Sequence, residues 1–82
     1  MIFNNDVLLC YEVIFLKGLK QIRKERRLTQ LKVAMDLNIS REALSHYENN
    51  KREPSIDLLI KMSNYFNVSI DFLINGKEFN KQ

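Results

Sequence analysis

The sequence predicts a small all-α protein with five helices in residues 15–76. Three observations favour this fold class: apolar residues recur at helical spacing, strand-type alternation is scarce after residue 16, and only two glycines and one proline interrupt the chain. The 82 residues provide for one small domain. We therefore expect an N-terminal extension at residues 1–14, one helical domain at residues 15–76 and a C-terminal tail at residues 77–82.

The extension is the least regular part of the sequence. Residues 7–14 are too uniformly apolar for one exposed helix face, and their β-branched and aromatic side chains suit either a strand or an extension of the first helix. They would add packing to the core or form a dimer contact. Leu31 and Met35 lie one helical turn apart, and an exposed apolar pair either meets a partner or is covered. Our hypothesis is that residues 7–14 pack over this pair.

The first helix of the domain is predicted to begin at Phe15 and to end at Arg26 or Arg27. Phe15, Leu19 and Ile22 have the i, i+4, i+7 spacing of one inward face. Residues 17–32 include seven basic side chains and one acidic one, whereas the whole chain has a net charge of +3. Such a concentration suits phosphate binding, although it is also typical of a solvated helix face.

Two short helices joined by a tight turn occupy the centre of the sequence. Thr29 is placed to cap the first, Gln30–Leu37, and Asn38 tolerates the left-handed conformation that ends many helices. Ser40 is placed to cap the second, Arg41–Glu48. The predicted inward residues are Val33, Ala34 and Leu37 on the first helix and Ala43, Leu44 and Tyr47 on the second. The outward residues of the second are Arg41, Glu42, Ser45 and His46.

Two further helices follow. Pro54 and Ser55 begin the fourth, which Asn67 ends, and Ser69 caps the fifth, which Asn75 and Gly76 stop. Asp57 and Asp71 lie in the two first turns, where a negative charge favours the helix dipole. The predicted inward residues are Ile56, Leu59, Ile60, Met62, Ser63 and Phe66 on the fourth helix, and Phe72 and Leu73 on the fifth.

The pattern from Leu28 to Ser55 resembles the helix-turn-helix of the lambdoid phage repressor and Cro family, also called the XRE family. The matching residues are Leu28-Thr29-Gln30, Ala34, Leu37, Ile39-Ser40, Leu44-Ser45, Tyr47-Glu48-Asn49 and Lys51-Arg52-Glu53-Pro54-Ser55, with a second match at residues 67–76. The resemblance covers residues 15–76. It implies a five-helix lambda-repressor-like DNA-binding domain and a small transcriptional regulator, a repressor that occludes promoters.

The second helix of the pair would then read DNA bases with side chains near its N-terminus. These are Arg41, Glu42, Ser45 and His46, and family members touch base edges at the positions of Arg41, Glu42 and His46. Arginine can pair with guanine and glutamate can accept from cytosine N4. Without the resemblance, these residues would be ordinary solvated residues of a helix.

The resemblance also implies phosphate contacts and one structural ion pair. The glutamine that matches Gln30 binds a phosphate in the family. Five further residues are candidates for phosphate contacts because of their positions in the motif. The phosphate candidates are Gln30, Lys32, Arg27, Asn49, Lys51 and Arg52. Arg27 and Asn50 stand where the family often has glycine, so a left-handed backbone is expected at both. Arg23 and Glu48 resemble an ion pair of the family that joins the first helix to the end of the base-reading helix, Arg41–Glu48, which we call the recognition helix.

Several classes of function are not expected. Cysteine and histidine each occur once, so we expect no disulfide within the chain and no metal site, and the lone thiol suits a reducing cytoplasm. No apolar run approaches the roughly 20 residues of a membrane helix, and we read no signal peptide. We find no nucleophile–base pair, carboxylate cluster or phosphate-binding glycine loop, and so expect no enzymatic activity and no cofactor.

Two partners are expected from the resemblance. One is double-stranded DNA with a pseudo-palindromic operator, and the other is a second copy of the chain. The homodimer contact would lie near the fifth helix, at Phe72, Ile74 and the segment after it, with the N-terminal stretch as a rival surface. The alternative is a protein-interaction module, such as an antitoxin that binds its partner protein through the same fold.

Overall fold

The computed structural model describes residues 15–76, and these form five α-helices and no strand. The helices are α1 (Lys17–Glu25), α2 (Gln30–Leu37), α3 (Arg41–Glu48), α4 (Ile56–Phe66) and α5 (Ile70–Asn75). The predicted all-α fold is therefore confirmed. The N-terminal extension, the C-terminal tail and the predicted packing of residues 7–14 over Leu31 and Met35 lie outside the described residues.

Hydroxyl groups cap four of the five helices. In each case the side-chain oxygen of the residue before the helix accepts a hydrogen bond from the backbone N–H three residues later. A cap of this kind satisfies one N–H that the first turn leaves open and contributes typically ~1 kcal/mol. The caps are Thr29 to Lys32 (3.0 Å), Ser40 to Ala43 (3.0 Å), Ser55 to Leu58 (3.1 Å) and Ser69 to Phe72 (3.0 Å).

Left-handed residues end two helices and shape two loops. Asn38 (φ 63°) and Asn67 (φ 58°) end α2 and α4, as predicted. Arg27 (φ 57°) and Asn50 (φ 62°) also have positive φ, which confirms the expectation at both positions. Asparagine tolerates this conformation better than arginine does, so Arg27 is the more strained of the two.

The core lies where the five helices meet. All five contribute, and α1 and α5 lie close together at Gly18, where an added Cβ would lie 2.2 Å from the carbonyl oxygen of Phe72. Glycine at this position is what allows the two helices to touch. The buried apolar residues are Leu16, Leu19, Ile22, Val33, Ala34, Leu37, Leu44, Leu58, Leu59, Met62, Phe66 and Leu73.

The prediction that Phe15 points inward is wrong. The helix begins at Lys17, and the backbone of Leu16 is not helical (φ −105°, ψ 81°), so the i, i+4 relation between Phe15 and Leu19 does not hold. Phe15 is 43% exposed, whereas Leu16 is 2% exposed and takes the predicted place in the core.

The predicted inward face of α4 is also partly wrong. Ile56 and Ile60 are 65% and 45% exposed, and Leu58 is buried instead. In this rotation two polar side chains of α4 contact the C-terminal end of α2. The Lys61 ammonium donates to the Leu37 carbonyl oxygen (2.9 Å), and the Tyr65 hydroxyl donates to the Asp36 carboxylate (2.6 Å).

Candidate nucleic-acid interface

Helices α2 and α3 form a compact pair around a three-residue turn. Ala34 is 1% exposed, and its small side chain lets α3 approach α2 closely. The backbone N–H of Ile39 donates to the carbonyl oxygen of Ala34 (3.0 Å), and the Ile39 side chain is partly buried against the core. The turn is therefore fixed both by a backbone hydrogen bond and by the packing of Ile39, and the orientation of α3 follows from it.

Helix α3 has one buried face and one polar, exposed face. Leu44 is fully buried, and Ala43 and Tyr47 are half-buried beside it. Arg41, Glu42 and His46 are exposed on the other side, and Ser45 is half-buried at its edge. The predicted base-reading residues thus share the outward face. Their role in binding stays a prediction.

Arg23 and Glu48, the two residues that the resemblance pairs, form a bidentate ion pair between α1 and the end of α3. Arg23 Nε lies 2.6 Å from Glu48 Oε2, and Arg23 Nη2 lies 3.1 Å from Glu48 Oε1. The two side chains are 10% and 0% exposed. Arg23 Nη1 also donates to the Leu28 carbonyl oxygen (2.8 Å), so the guanidinium holds the loop before α2 as well.

Gln30 connects this ion pair to the start of α3. Its Nε2 donates to Glu48 Oε1 (3.0 Å), and its Oε1 accepts from Arg41 Nη1 (3.2 Å). Arg41, Gln30, Glu48 and Arg23 therefore form one continuous set of hydrogen bonds, from the exposed start of α3 to the buried interior. Sequence reasoning missed this connection, because the residues are 11 and 18 positions apart and no local pattern joins them.

The other predicted phosphate contacts lie at the edges of the same surface. Arg27 and Lys51 are exposed. Lys32 pairs with Asp36 (3.3 Å), and Asn49 Nδ2 donates to the carbonyl oxygen of Ser45 (2.9 Å). The Arg52 guanidinium lies 5.8 Å from the centre of the Tyr47 ring. Together with Gln30, four of the six candidates thus already contact protein groups, the others being Lys32, Asn49 and Arg52. A phosphate would share or displace those contacts.

A polar cluster joins the C-terminal end of α2 to α4. The hydroxyl of Tyr65 donates to Asp36, which also faces Lys32. The hydrogen bond to Asp36 raises the pKa of Tyr65 to about 12, so the phenol stays neutral. The same bond, together with Lys32, holds the pKa of Asp36 below its usual 3.8. Sequence reasoning did not find this cluster, which joins residues 29 positions apart.

Within residues 15–76, no three histidine, cysteine or acidic side chains converge as metal ligands would. None of the five helices reaches the length and hydropathy that crossing a bilayer requires. The exposed surface of α3 and the start of α2 carries the predicted base-reading residues and Gln30, and it is the candidate site in the described part of the chain.

Comparison with known proteins gives relatives that include a transcriptional regulator and an antitoxin. The chain is 42% identical over 66 residues to the HTH-type transcriptional regulator ImmR of Bacillus subtilis, an alignment that covers 80% of this chain and 52% of ImmR. It is 40% identical over 65 residues to the antitoxin PezA of Streptococcus pneumoniae, which covers 78% of this chain and 41% of PezA. The chain thus spans about half the length of these relatives, or less.

The fold is similar to a solved structure. The solution structure of the SOS-response transcriptional repressor LexA from Eubacterium rectale matches with a TM-score of 0.73 and 23% identity, over 84% of this chain and 73% of that one. At this identity the likeness shows the fold alone. The helix-turn-helix family model matches residues 19–73, which are well over half of the chain. The chain belongs to the XRE-type helix-turn-helix family.

Proposed function

We propose that this domain binds double-stranded DNA in a sequence-specific way and acts as a transcriptional regulator. The observation that carries the proposal is the position of Arg41, which lies exposed at the start of α3 and hydrogen-bonded to Gln30 at the start of α2. A base-reading candidate and a phosphate-binding candidate are thus side by side on one surface. The name of ImmR, a transcriptional regulator, supports the same reading.

In this proposal the outward face of α3 recognises the bases. Arg41 can pair bidentately with guanine, and Glu42 can accept from cytosine N4 in the major groove. Ser45 and His46 lie farther along the same face and complete the reading surface. The buried Leu44 anchors the opposite side of the helix, so the reading side chains are presented from a fixed support.

In this proposal the start of α2 and the loop after α3 bind the phosphates. The first turn of α2 presents N–H groups and a positive dipole end beside Gln30. Lys51 and Arg52 lie past the other end of the recognition helix, and Arg27 and Lys32 lie on the α1–α2 side. Such contacts set the affinity and its salt dependence but carry little sequence information.

Repression by occlusion is the simplest regulatory mechanism for such a surface. A bound domain that overlaps a promoter excludes RNA polymerase, and this needs no further activity from the protein. One α3 touches only a few base pairs, so we propose that two copies bind a pseudo-palindrome with half-sites about 34 Å apart. Phe72 and Ile74 are half-buried on α5, which leaves apolar area for a contact between copies.

Selection of bound sites from a random DNA library tests the proposal. Enrichment of one pseudo-palindrome is expected, and recovery of unrelated sequences would contradict sequence-specific binding. In the selected site, moving one half-site by about five base pairs turns it to the opposite face of the duplex. Tight binding should then be lost. Undiminished affinity for the moved site, or for one half-site, would contradict the dimer.

The antitoxin PezA among the relatives favours a second candidate, a domain that binds a partner protein. The two functions differ in their dependence on salt, because DNA binding releases counterions and weakens steeply as salt rises. DNA affinity that is weak at low salt, and changes little with salt, would favour the protein-binding function.

A further inference from the structure

We propose that Glu48 is a positioning residue for base recognition. Its buried carboxylate fixes the orientation of the Gln30 amide, and Gln30 in turn holds Arg41 at the start of the recognition helix. The proposal rests on the proposed DNA-binding function, and goes beyond it by giving a sequence-reading role to a buried residue that cannot itself touch DNA.

The first step is the arrangement of hydrogen bonds around Glu48. Its Oε2 accepts from Arg23 Nε (2.6 Å), and its Oε1 accepts from Arg23 Nη2 (3.1 Å) and from Gln30 Nε2 (3.0 Å). An ionised carboxylate can only accept hydrogen bonds. The Gln30 amide must therefore turn its NH₂ group towards Glu48, because the opposite orientation would place a carbonyl oxygen against a carboxylate oxygen.

The second step is the consequence for Arg41. Since the NH₂ of Gln30 faces Glu48, its carbonyl oxygen faces the start of α3, where it accepts from Arg41 Nη1 (3.2 Å). A guanidinium has five N–H donors. If Arg41 donates one N–H to Gln30, four donors remain. Arg41 can therefore keep this contact and still pair with the two acceptors of a guanine. The contact also restricts an exposed side chain before binding, which reduces the freedom it loses on DNA.

The third step is the rigidity of the support. Glu48 is fully buried, and its partner Arg23 is fixed to the Leu28 carbonyl oxygen as well (2.8 Å). The carboxylate therefore cannot turn away from Gln30 without breaking a buried ion pair. Gln30 keeps a second Nε2 proton, so it can bind a phosphate and orient Arg41 at the same time. The ion pair thus contributes to recognition as well as to the fold.

The variant Glu48→Gln tests the proposal. It keeps the size of the side chain but presents both a donor and an acceptor, so the Gln30 amide can take either orientation. One of these turns NH₂ towards Arg41, and both groups are then donors. We expect roughly a tenfold loss of preference for the selected base pair over its substitutions at the position that Arg41 reads, which is within the range of one lost bidentate contact. Preference at the other positions should change little.

Two comparisons separate positioning from a purely structural effect. Asp57→Asn is the matched control, because it removes the same charge from an exposed position on α4 and should leave base preference unchanged. In an Arg41→Ala background, Glu48→Gln should have no further effect on preference at that base pair. A loss of affinity that is equal for all sequences, or an undiminished preference, would overturn the proposal.

Gln30→Met covers the case in which Glu48→Gln does not fold. It removes both side-chain hydrogen bonds of Gln30 but leaves the Arg23–Glu48 pair in place, and it should lose the same base preference while the protein stays folded. Retained preference in this variant would also overturn the proposal. If the wild-type protein selects no sequence from a random library, the proposed function itself fails. If the wild type selects a site and the variants read that site equally well, only the positioning role of Glu48 fails.

Discussion

Removal of one partner of the Arg23–Glu48 pair should destabilise the protein severely. Arg23→Met leaves the Glu48 carboxylate, which is fully buried, with only the Gln30 amide as a side-chain donor. Breaking a buried pair in this way costs about 3–5 kcal/mol. For a domain of this size, 1 kcal/mol shifts Tm by about 4–8 °C. We therefore expect Tm to fall by roughly 12–40 °C, a large part of the stability of a typical domain.

Replacement of both partners should recover most of this loss. In Arg23→Met with Glu48→Leu no buried charge is left, and apolar replacements of buried pairs are often neutral or stabilising. The Leu28 carbonyl oxygen and the Gln30 amide still lose their partners. One unsatisfied buried polar group costs about 1–3 kcal/mol. Both of these groups are only part-buried and can reach water, so we expect their combined cost to stay within about 1–3 kcal/mol.

Urea denaturation followed by circular dichroism measures both effects. Lys24→Met is the matched control, because it removes a basic residue from an exposed position on α1 and should change stability by no more than about 0.5 kcal/mol. A loss below about 1 kcal/mol in Arg23→Met, or a double variant no more stable than that single variant, would refute the reasoning.

Three other predictions concern the interface and the packing. Arg41→Ala should cost about 1–3 kcal/mol of specific binding and relax the preference at one base pair per half-site. Lys51→Ala should instead weaken binding to all sequences alike and reduce the slope of log affinity against log salt concentration by about one. DNA titrations at several salt concentrations measure both effects. Gly18→Ala places a Cβ 2.2 Å from the Phe72 carbonyl oxygen, so we expect a loss of about 1–3 kcal/mol in urea denaturation, and an unchanged stability would contradict the close approach of α1 and α5. Asp36, whose pKa is lowered on folding, should stabilise the wild type relative to Asp36→Asn at about pH 6, and this difference should disappear as the pH falls below 3.8 through the lower folded pKa.

The local features of the fold could be predicted from the sequence. A hydroxyl cap and the N–H that it accepts from are three residues apart, and a left-handed asparagine acts on the turn next to it. For this reason the capping roles of Thr29, Ser40, Ser55 and Ser69 follow from the order of residues alone. The outward face of α3 is local in the same sense, because its two buried residues, Leu44 and Glu48, are one turn apart and fix which side of so short a helix faces the core.

The rotation of α4 could not be predicted in this way. Isoleucine, leucine and methionine occupy more than one side of this helix, so apolar periodicity allows several rotations. The choice depends on contacts with the end of α2, where Lys61 and Tyr65 find their partners. The link through Gln30 was missed for the same reason: each of its hydrogen bonds joins residues that are close only after the chain has folded.

The double variant Arg23→Met with Glu48→Leu separates the two roles of the buried pair. Most of the stability should return, because no unpaired charge is left in the core. The orientation of Gln30 should not return, since a leucine side chain accepts no hydrogen bond and the amide is then free to turn. We therefore expect a folded protein that still binds DNA through its phosphate contacts but reads the Arg41 base pair as poorly as Glu48→Gln does. Affinities for the selected site and for its single-base substitutions, measured beside the melting curve, test this directly. A double variant that is both stable and fully selective would mean that Arg41 finds its base without the buried carboxylate.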